Sequence, residues 1–129
     1  MPRMQELGIA ILRVVVGVVF AAHGAQKLFV IGFGGVAHMF QGVGIPMAHV
    51  AAIVVTLVEF GGGIALILGI LTRYAAAMLV VNMAVAVGKV HLHNGLFANK
   101  GGFEFPLTLL AACLALVLAG PGSPALSRK

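Results

Sequence analysis

Val50-Ala-Ala-Ile-Val-Val-Thr-Leu-Val-Glu59-Phe-Gly-Gly-Gly-Ile-Ala-Leu-Ile-Leu-Gly-Ile-Leu71 is apolar enough to cross a bilayer, yet it carries a carboxylate at its middle. A charge at the centre of a membrane helix costs about 2.5–3.5 kcal/mol on insertion scales, so it persists where a partner or a task compensates it. The chain has only 3 acidic residues in 129, which makes the placement of Glu59 informative. Further ionisable groups stand within or at the ends of other apolar stretches: Arg13, His23, Lys27, Lys89, His91 and Glu104. The pattern predicts a polar site enclosed by membrane helices.

Composition supports this reading. Hydrophobic residues make up 61% of the chain and charged residues 9%, with a mean hydropathy of +1.14. A soluble domain carries about 25% charged residues to clothe its surface. The formal charge of +5 does not indicate nucleic acid, because Lys and Arg are scattered singly rather than gathered on one face. They read as cationic caps of membrane helices. Cys113, the only cysteine, excludes an intrachain disulfide relay and reads as a small buried side chain. Ala22-His-Gly has the look of a signal-peptidase site, but Arg13 interrupts the preceding apolar run and three more long apolar segments follow. An uncleaved helix is expected.

Four segments approach the ~20 residues that span a hydrocarbon core of about 30 Å. They cover 7–29, 47–71, 74–91 and 104–119, and together predict one domain over residues 1–129: an all-α, integral membrane four-helix bundle. The Gly-rich segment 31–46 is expected at the interface, with one or two helical turns around Val36-Ala-His-Met-Phe-Gln41. Thr72-Arg73 reads as a tight turn, 93–102 as a polar loop, and Gly120-Pro-Gly-Ser-Pro124 as the stop of the last helix. An even number of crossings puts both termini on one side. Arg3, Arg73, Arg128 and Lys129 fall there, against Lys27, Lys89 and Lys100 opposite, a small bias toward cytoplasmic termini.

Helix rise gives depths. Counted from the predicted helix ends, Arg13 lies about 9 Å from the side of the termini, and Glu59 and Asn82 about 12 Å. This predicts a structural polar core in which Arg13 pairs with Glu59 and Asn82 adds a hydrogen bond. A second layer forms at the opposite end from His23, Lys27, Lys89, His91 and Glu104. Arg13, Gly17, Phe20, Gly24 and Lys27 share one stripe of the first helix, and Ala52, Thr56, Gly62 and Gly63 share the face of Glu59. Asn82 and Lys89 are expected to align on the third helix, and Glu104, Thr108, Ala111 and Ala115 on the fourth. Small and polar sides then face inward, where small residues permit close helix approach, while Leu, Val and Ile face lipid.

Each candidate has a plain structural counterpart. Glu59 can serve as a register-fixing ion pair, and Arg13, Lys27 and Lys89 can snorkel to the interface. Glu104 and Pro106 both suit a helix N-terminus. His91 and His93 point to different sides of a helix, so they do not form one metal site, and no metal is assigned. A haem or metal held between His23 and His91 is a lesser alternative that nothing in the spacing requires. Gly61-Gly-Gly lies within a helix rather than after a strand, so it is not a phosphate loop.

Ala22-His-Gly-Ala-Gln-Lys-Leu-Phe29, Val58-Glu-Phe-Gly-Gly-Gly63, Leu71-Thr-Arg73, and His91 with Gly95-Leu-Phe97 and Gly102-Phe-Glu-Phe-Pro-Leu107 resemble, in the same order, the motifs of the DoxX-like family. The resemblance covers almost the whole chain and implies a small four-helix prokaryotic membrane protein of the cell (inner) membrane. Its motif positions here are Arg13, His23, Gln26, Lys27, Glu59, Arg73, His91 and Glu104. The family resemblance implies association with quinol oxidases, thiol-stress oxidoreductase complexes, or catechol and quinone detoxification. A tyrosine common in such proteins is absent at Phe103 and Phe105, and Cys113 alone cannot perform paired-thiol chemistry.

The expected function is therefore an integral membrane component of a redox system, binding a quinone or small aromatic between its helices. His23, Lys27, Lys89 and His91 are the expected ligand contacts, with Glu104 a candidate proton relay. No recognised redox-cofactor motif is present, so electrons would come from a membrane or peripheral partner protein. A non-enzymatic transporter or lipid-binding module, and a structural subunit of a membrane complex, are the alternatives, and a homo-oligomer fits either.

Overall fold

In a computed structural model of the chain, described for residues 3–97, 99 and 102–127 with the side chains of Val90 and His93 excepted, the described residues form helices and connecting turns. Lys100, Arg128 and Lys129, which enter the charge-bias argument, and the His93 side chain lie outside that description. Helix α1 covers Met4–Ala25 and passes without interruption into a wide π-helical turn, Gln26–Ile31. Gly32, at φ 78°, breaks the direction there, and α2 follows over Gly32–Gly42. Only glycine adopts that backbone without strain. Helix α3 spans Ala48–Leu68, α4 spans Thr72–Val85 and ends in a second π turn, Ala86–His91, and α5 spans Glu104–Ala119.

Two stretches, Met4–Gly42 and Ala48–Leu68, are long and apolar enough to cross a membrane, and α5 is a shorter apolar helix. The bundle is apolar outward: Ile11, Val15, Val18, Ile53, Val54, Leu57, Met78, Val81 and Leu118 are all exposed. Inside lie the small and polar stripes, including Arg13, Gly17 and Gly24 on α1 and Ala52, Thr56, Glu59 and Gly63 on α3. The interior also holds large apolar side chains such as Phe20, Leu66, Leu79 and Leu116, and the apolar outer face suits lipid as the surrounding solvent.

Helices α1 and α3 touch backbone to backbone. A Cβ on Gly17 would stand 2.7 Å from the Gly63 carbonyl oxygen, one on Gly63 would stand 2.3 Å from the Ala21 nitrogen, and one on Gly24 would stand 2.3 Å from the Phe60 nitrogen. These contacts fix the antiparallel register. They also show that α1 runs well past the end of α3, because Gly17 already faces Ile67.

The α3–α4 turn comes slightly earlier than the sequence predicts. Gly69, left-handed at φ 73°, closes α3 with Gly69 N donating to Leu66 O at 3.2 Å and Ile70 N donating to Ala65 O at 2.9 Å, and Thr72 already belongs to α4. That pair of bonds is the Schellman ending of a helix. The interfacial segment is more regular than expected: Val36 and Ala37 of α2 are buried against Ala48 and Ala52 of α3. The residues after α5 do not simply trail away. Ser123 N donates to Glu6 O, Leu126 N to Leu68 O and Ser127 N to Gly69 O, so this tail seals the end of the bundle where α1 begins.

Two stripes differ from expectation. On α5 the buried side is Pro106, Leu109, Cys113 and Leu116, while Thr108, Ala111 and Ala115 are exposed. Lys89 does not share the inward face of Asn82, because the π turn adds backbone to the helical repeat and rotates everything beyond it.

The glycine crossing makes a clear prediction. Gly63→Val should destabilise the bundle by about 2 kcal/mol or more through forced helix separation. Gly8→Ala, with nothing within 4 Å of the added methyl, should be neutral or slightly stabilising. Thermal or denaturant unfolding in mild detergent reads both.

Candidate functional site

Glu59 is 4% exposed and receives two hydrogen bonds across helices. Asn82 Nδ2 donates to its Oε2 at 2.8 Å, and Lys27 Nζ forms a close ion pair with its Oε1. Asn82 was expected here. The cation was not: Lys27, assigned from sequence to the opposite layer, takes the place given to Arg13. Depths counted from helix ends assume that the ends are coplanar, whereas α1 overhangs α3. The overhang puts Arg13 at the last turn of α3, and Gly24, one turn before Lys27, faces Phe60.

Arg13 is nonetheless buried, at 3% exposure. Its Nε donates to Leu66 O at 2.8 Å and its Nη1 to Pro121 O. Leu66 O lies in the last turn of α3, at its negative dipole end, and has a second lone pair beside the one that accepts from Gly69 N, so a guanidinium there is well placed. Arg13 thus fastens α1, the end of α3 and the tail. It belongs to a separate structural cluster from Glu59 and Asn82.

Lys27, Glu59 and Asn82 line a cavity of about 440 Å³ in the half of the bundle remote from the termini. Small-molecule sites occupy about 300–1,000 Å³, with mostly apolar walls and a few placed polar groups. The walls here fit that description: Phe20 from α1, Met39 and Phe40 from α2, Val55 from α3, Met83 from α4, and Phe105 and Leu109 from α5. Helix α2 therefore roofs the cavity, which the sequence reading did not anticipate. Both π turns reach it, through Lys27 in the first and Ala86 and His91 in the second. Wide turns of this kind recur at functional sites because they re-aim side chains within a helix. Phe29 in the first turn packs edge-on against Phe60 at 6.0 Å, holding Lys27 over α3.

His23 and His91 also line the cavity. His23 Nδ1 lies 2.8 Å from the Val19 carbonyl oxygen, and its ring lies 5.9 Å from that of Phe105. Of the other sequence candidates, Lys89 is exposed and Glu104 half-buried, and neither is among the lining residues. Glu104 opens α5, and its backbone NH donates to Leu96 O at 2.8 Å. With Phe103 N to Gly95 O and Gly102 N to Phe97 O, this closes the loop before α5. Gly102 stands so close to Gly95 O that an added Cβ would lie 2.4 Å away. Among the described residues no group of three His, Cys, Asp or Glu side chains is placed to hold a metal ion. The Thr56 hydroxyl, one turn before Glu59, is buried without a hydrogen-bond partner among the described residues.

The fold and this site together define a small helical membrane bundle in which a Lys–Glu–Asn cluster borders an aromatic-walled cavity. The DoxX family profile matches residues 8–92, and the chain belongs to that family. It is 26% identical over 128 residues to "Inner membrane protein YqjF" of Escherichia coli, covering 99% of this chain and 95% of the relative. It is 29% identical to a Bacillus subtilis protein named "Putative oxidoreductase CatD" over 93% of this chain and 84% of that one. An uncharacterized protein of Haemophilus influenzae is 39% identical over 94% of this chain and 89% of its own length. No solved structure matches the chain. The protein is thus a multi-pass protein of the prokaryotic cell membrane, with lipid as its surroundings.

The ion pair yields a double-mutant test. Lys27→Met leaves a buried carboxylate without its cation and should cost about 3 kcal/mol. Lys27→Met combined with Glu59→Gln should recover most of that loss, and the coupling read from unfolding curves should exceed about 1 kcal/mol.

Proposed function

We propose that the protein is a quinone- or small-aromatic-binding component of a membrane redox system, with the cavity between its helices as the binding site. The observation that carries this reading is the composition of the cavity. Phe20, Phe40 and Phe105 supply aromatic walls suited to a flat ring, and Lys27 and His23 line the same cavity as polar groups suited to its oxygens. Cation and imidazole are suited to hydrogen-bond a carbonyl or phenolate oxygen. The Glu59 carboxylate, itself held by Asn82, keeps Lys27 in place, and His91 brings a second imidazole to the lining.

The similarity to a relative named as an oxidoreductase supports the redox side of this reading. The electron partner is a separate membrane or peripheral protein. If the termini are cytoplasmic, as the charge bias favours, the cavity lies in the outer half of the membrane. The structure favours neither a transport nor a purely structural role by a specific observation of its own.

The test is mass spectrometry of the organic extract from protein purified in mild detergent. A quinone or other aromatic should be enriched with the wild type and lost from Lys27→Ala and from Ala86→Phe, which fills the cavity from the second π turn. Identical extracts of bulk lipid from all three proteins would overturn the reading.

A further inference from the structure

The hydrogen-bond polarity of the cavity is fixed by partners that can only accept. The Val19 carbonyl accepts from His23 Nδ1 at 2.8 Å, so Nδ1 carries the ring proton. In the neutral imidazole the other nitrogen, Nε2, is then an acceptor. The carboxylate of Glu59 accepts from Asn82 at 2.8 Å, so the amide turns its NH2 toward Glu59 and leaves Oδ1 as an acceptor. Neither His23 Nε2 nor Asn82 Oδ1 receives a hydrogen bond from any described residue, and both residues line the cavity. Beside these stands the Lys27 ammonium, a donor with N–H groups beyond the one directed at Glu59.

A dione and a dihydroxy ring meet this set differently. A quinone oxygen brings only lone pairs: it pairs with Lys27 but leaves His23 and Asn82 unmet. A ring hydroxyl accepts from Lys27 and donates to His23 or Asn82 at once. A site built to receive a hydroxyl discriminates strongly against the analogue that lacks it. We propose that the cavity selects the reduced, dihydroxy form of its aromatic ligand over the oxidised form, with His23 and Asn82 as the selecting residues. The proposal rests on the reading of the cavity as an aromatic-ligand site.

Equilibrium dialysis of the purified protein in mild detergent, under anaerobic conditions, tests it with duroquinol and duroquinone as probes. The expected result is at least tenfold tighter binding of duroquinol, which corresponds to an upward shift of about 30 mV in the potential of the bound two-electron couple. The dimethyl ether of duroquinol, with the same ring and no O–H, should bind no better than the quinone. His23→Phe keeps a ring against Phe105 and removes the acceptor, and should lower the quinol preference severalfold; His23 is exposed, and an unchanged melting temperature certifies the fold. Equal or tighter binding of duroquinone, or full preference retained in His23→Phe, would overturn the selection while leaving the cavity reading intact. Binding of neither ring would overturn both.

Discussion

A carboxylate carried into hydrocarbon must find a cation, and most of what is unusual in this bundle follows from how Glu59 finds one. The cation comes from Lys27, in the π turn just beyond the far end of α1, and three features bring it there. Glycines at the α1–α3 crossing bring the two backbones into contact, so a lysine side chain can span between them. The π turn that begins at Gln26 re-aims the helix where Lys27 leaves it. Asn82 then takes the other carboxylate oxygen from α4. The pair lines a cavity rather than sitting wholly within packed side chains.

The architecture was legible because lipid imposes a blunt rule on sequence. Apolar length, scarce charge and single cationic caps predict membrane helices whatever their details. The faces of α1 and α3 were legible too, since glycine, alanine and charged residues recur at helical spacing on one side of each. The Glu59–Asn82 contact followed from a short turn, which places residues equally distant from it side by side. The partner of Glu59 did not follow. Register between helices joined by a longer segment depends on where backbones can touch, and helix ends are a poor ruler when one helix overhangs the other. The reversal of α5 has a related cause: its small residues are no guide to the inside when the neighbouring α4 offers Ala75 and Ala76 for Leu109, Cys113 and Leu116 to fill.

The cavity itself was only half visible. Its ionisable groups stood out as charges in apolar sequence, but its aromatic and methionine walls look in sequence like any lipid-facing residue. Helix α2 supplies Met39 and Phe40 to the roof from a Gly-rich segment expected to hold only one or two helical turns at the interface. Nothing local distinguishes Phe40, which lines a cavity, from Phe29, which is exposed at 73%. That difference arises only once Gly32 has turned the chain back over α3.

The tail that seals the other end has a consequence for the order of events in biosynthesis. Arg13 leaves the ribosome early, within the first helix, yet one of its two carbonyl partners belongs to Pro121. The glycine surface that receives the tail, Gly69, is made in between. Until the residues after α5 emerge, the guanidinium has at most half of its final shell. The protein-made shell of Arg13 is therefore complete only when the last residues of the chain have joined the first helix, which ties the two ends of the sequence into one seam.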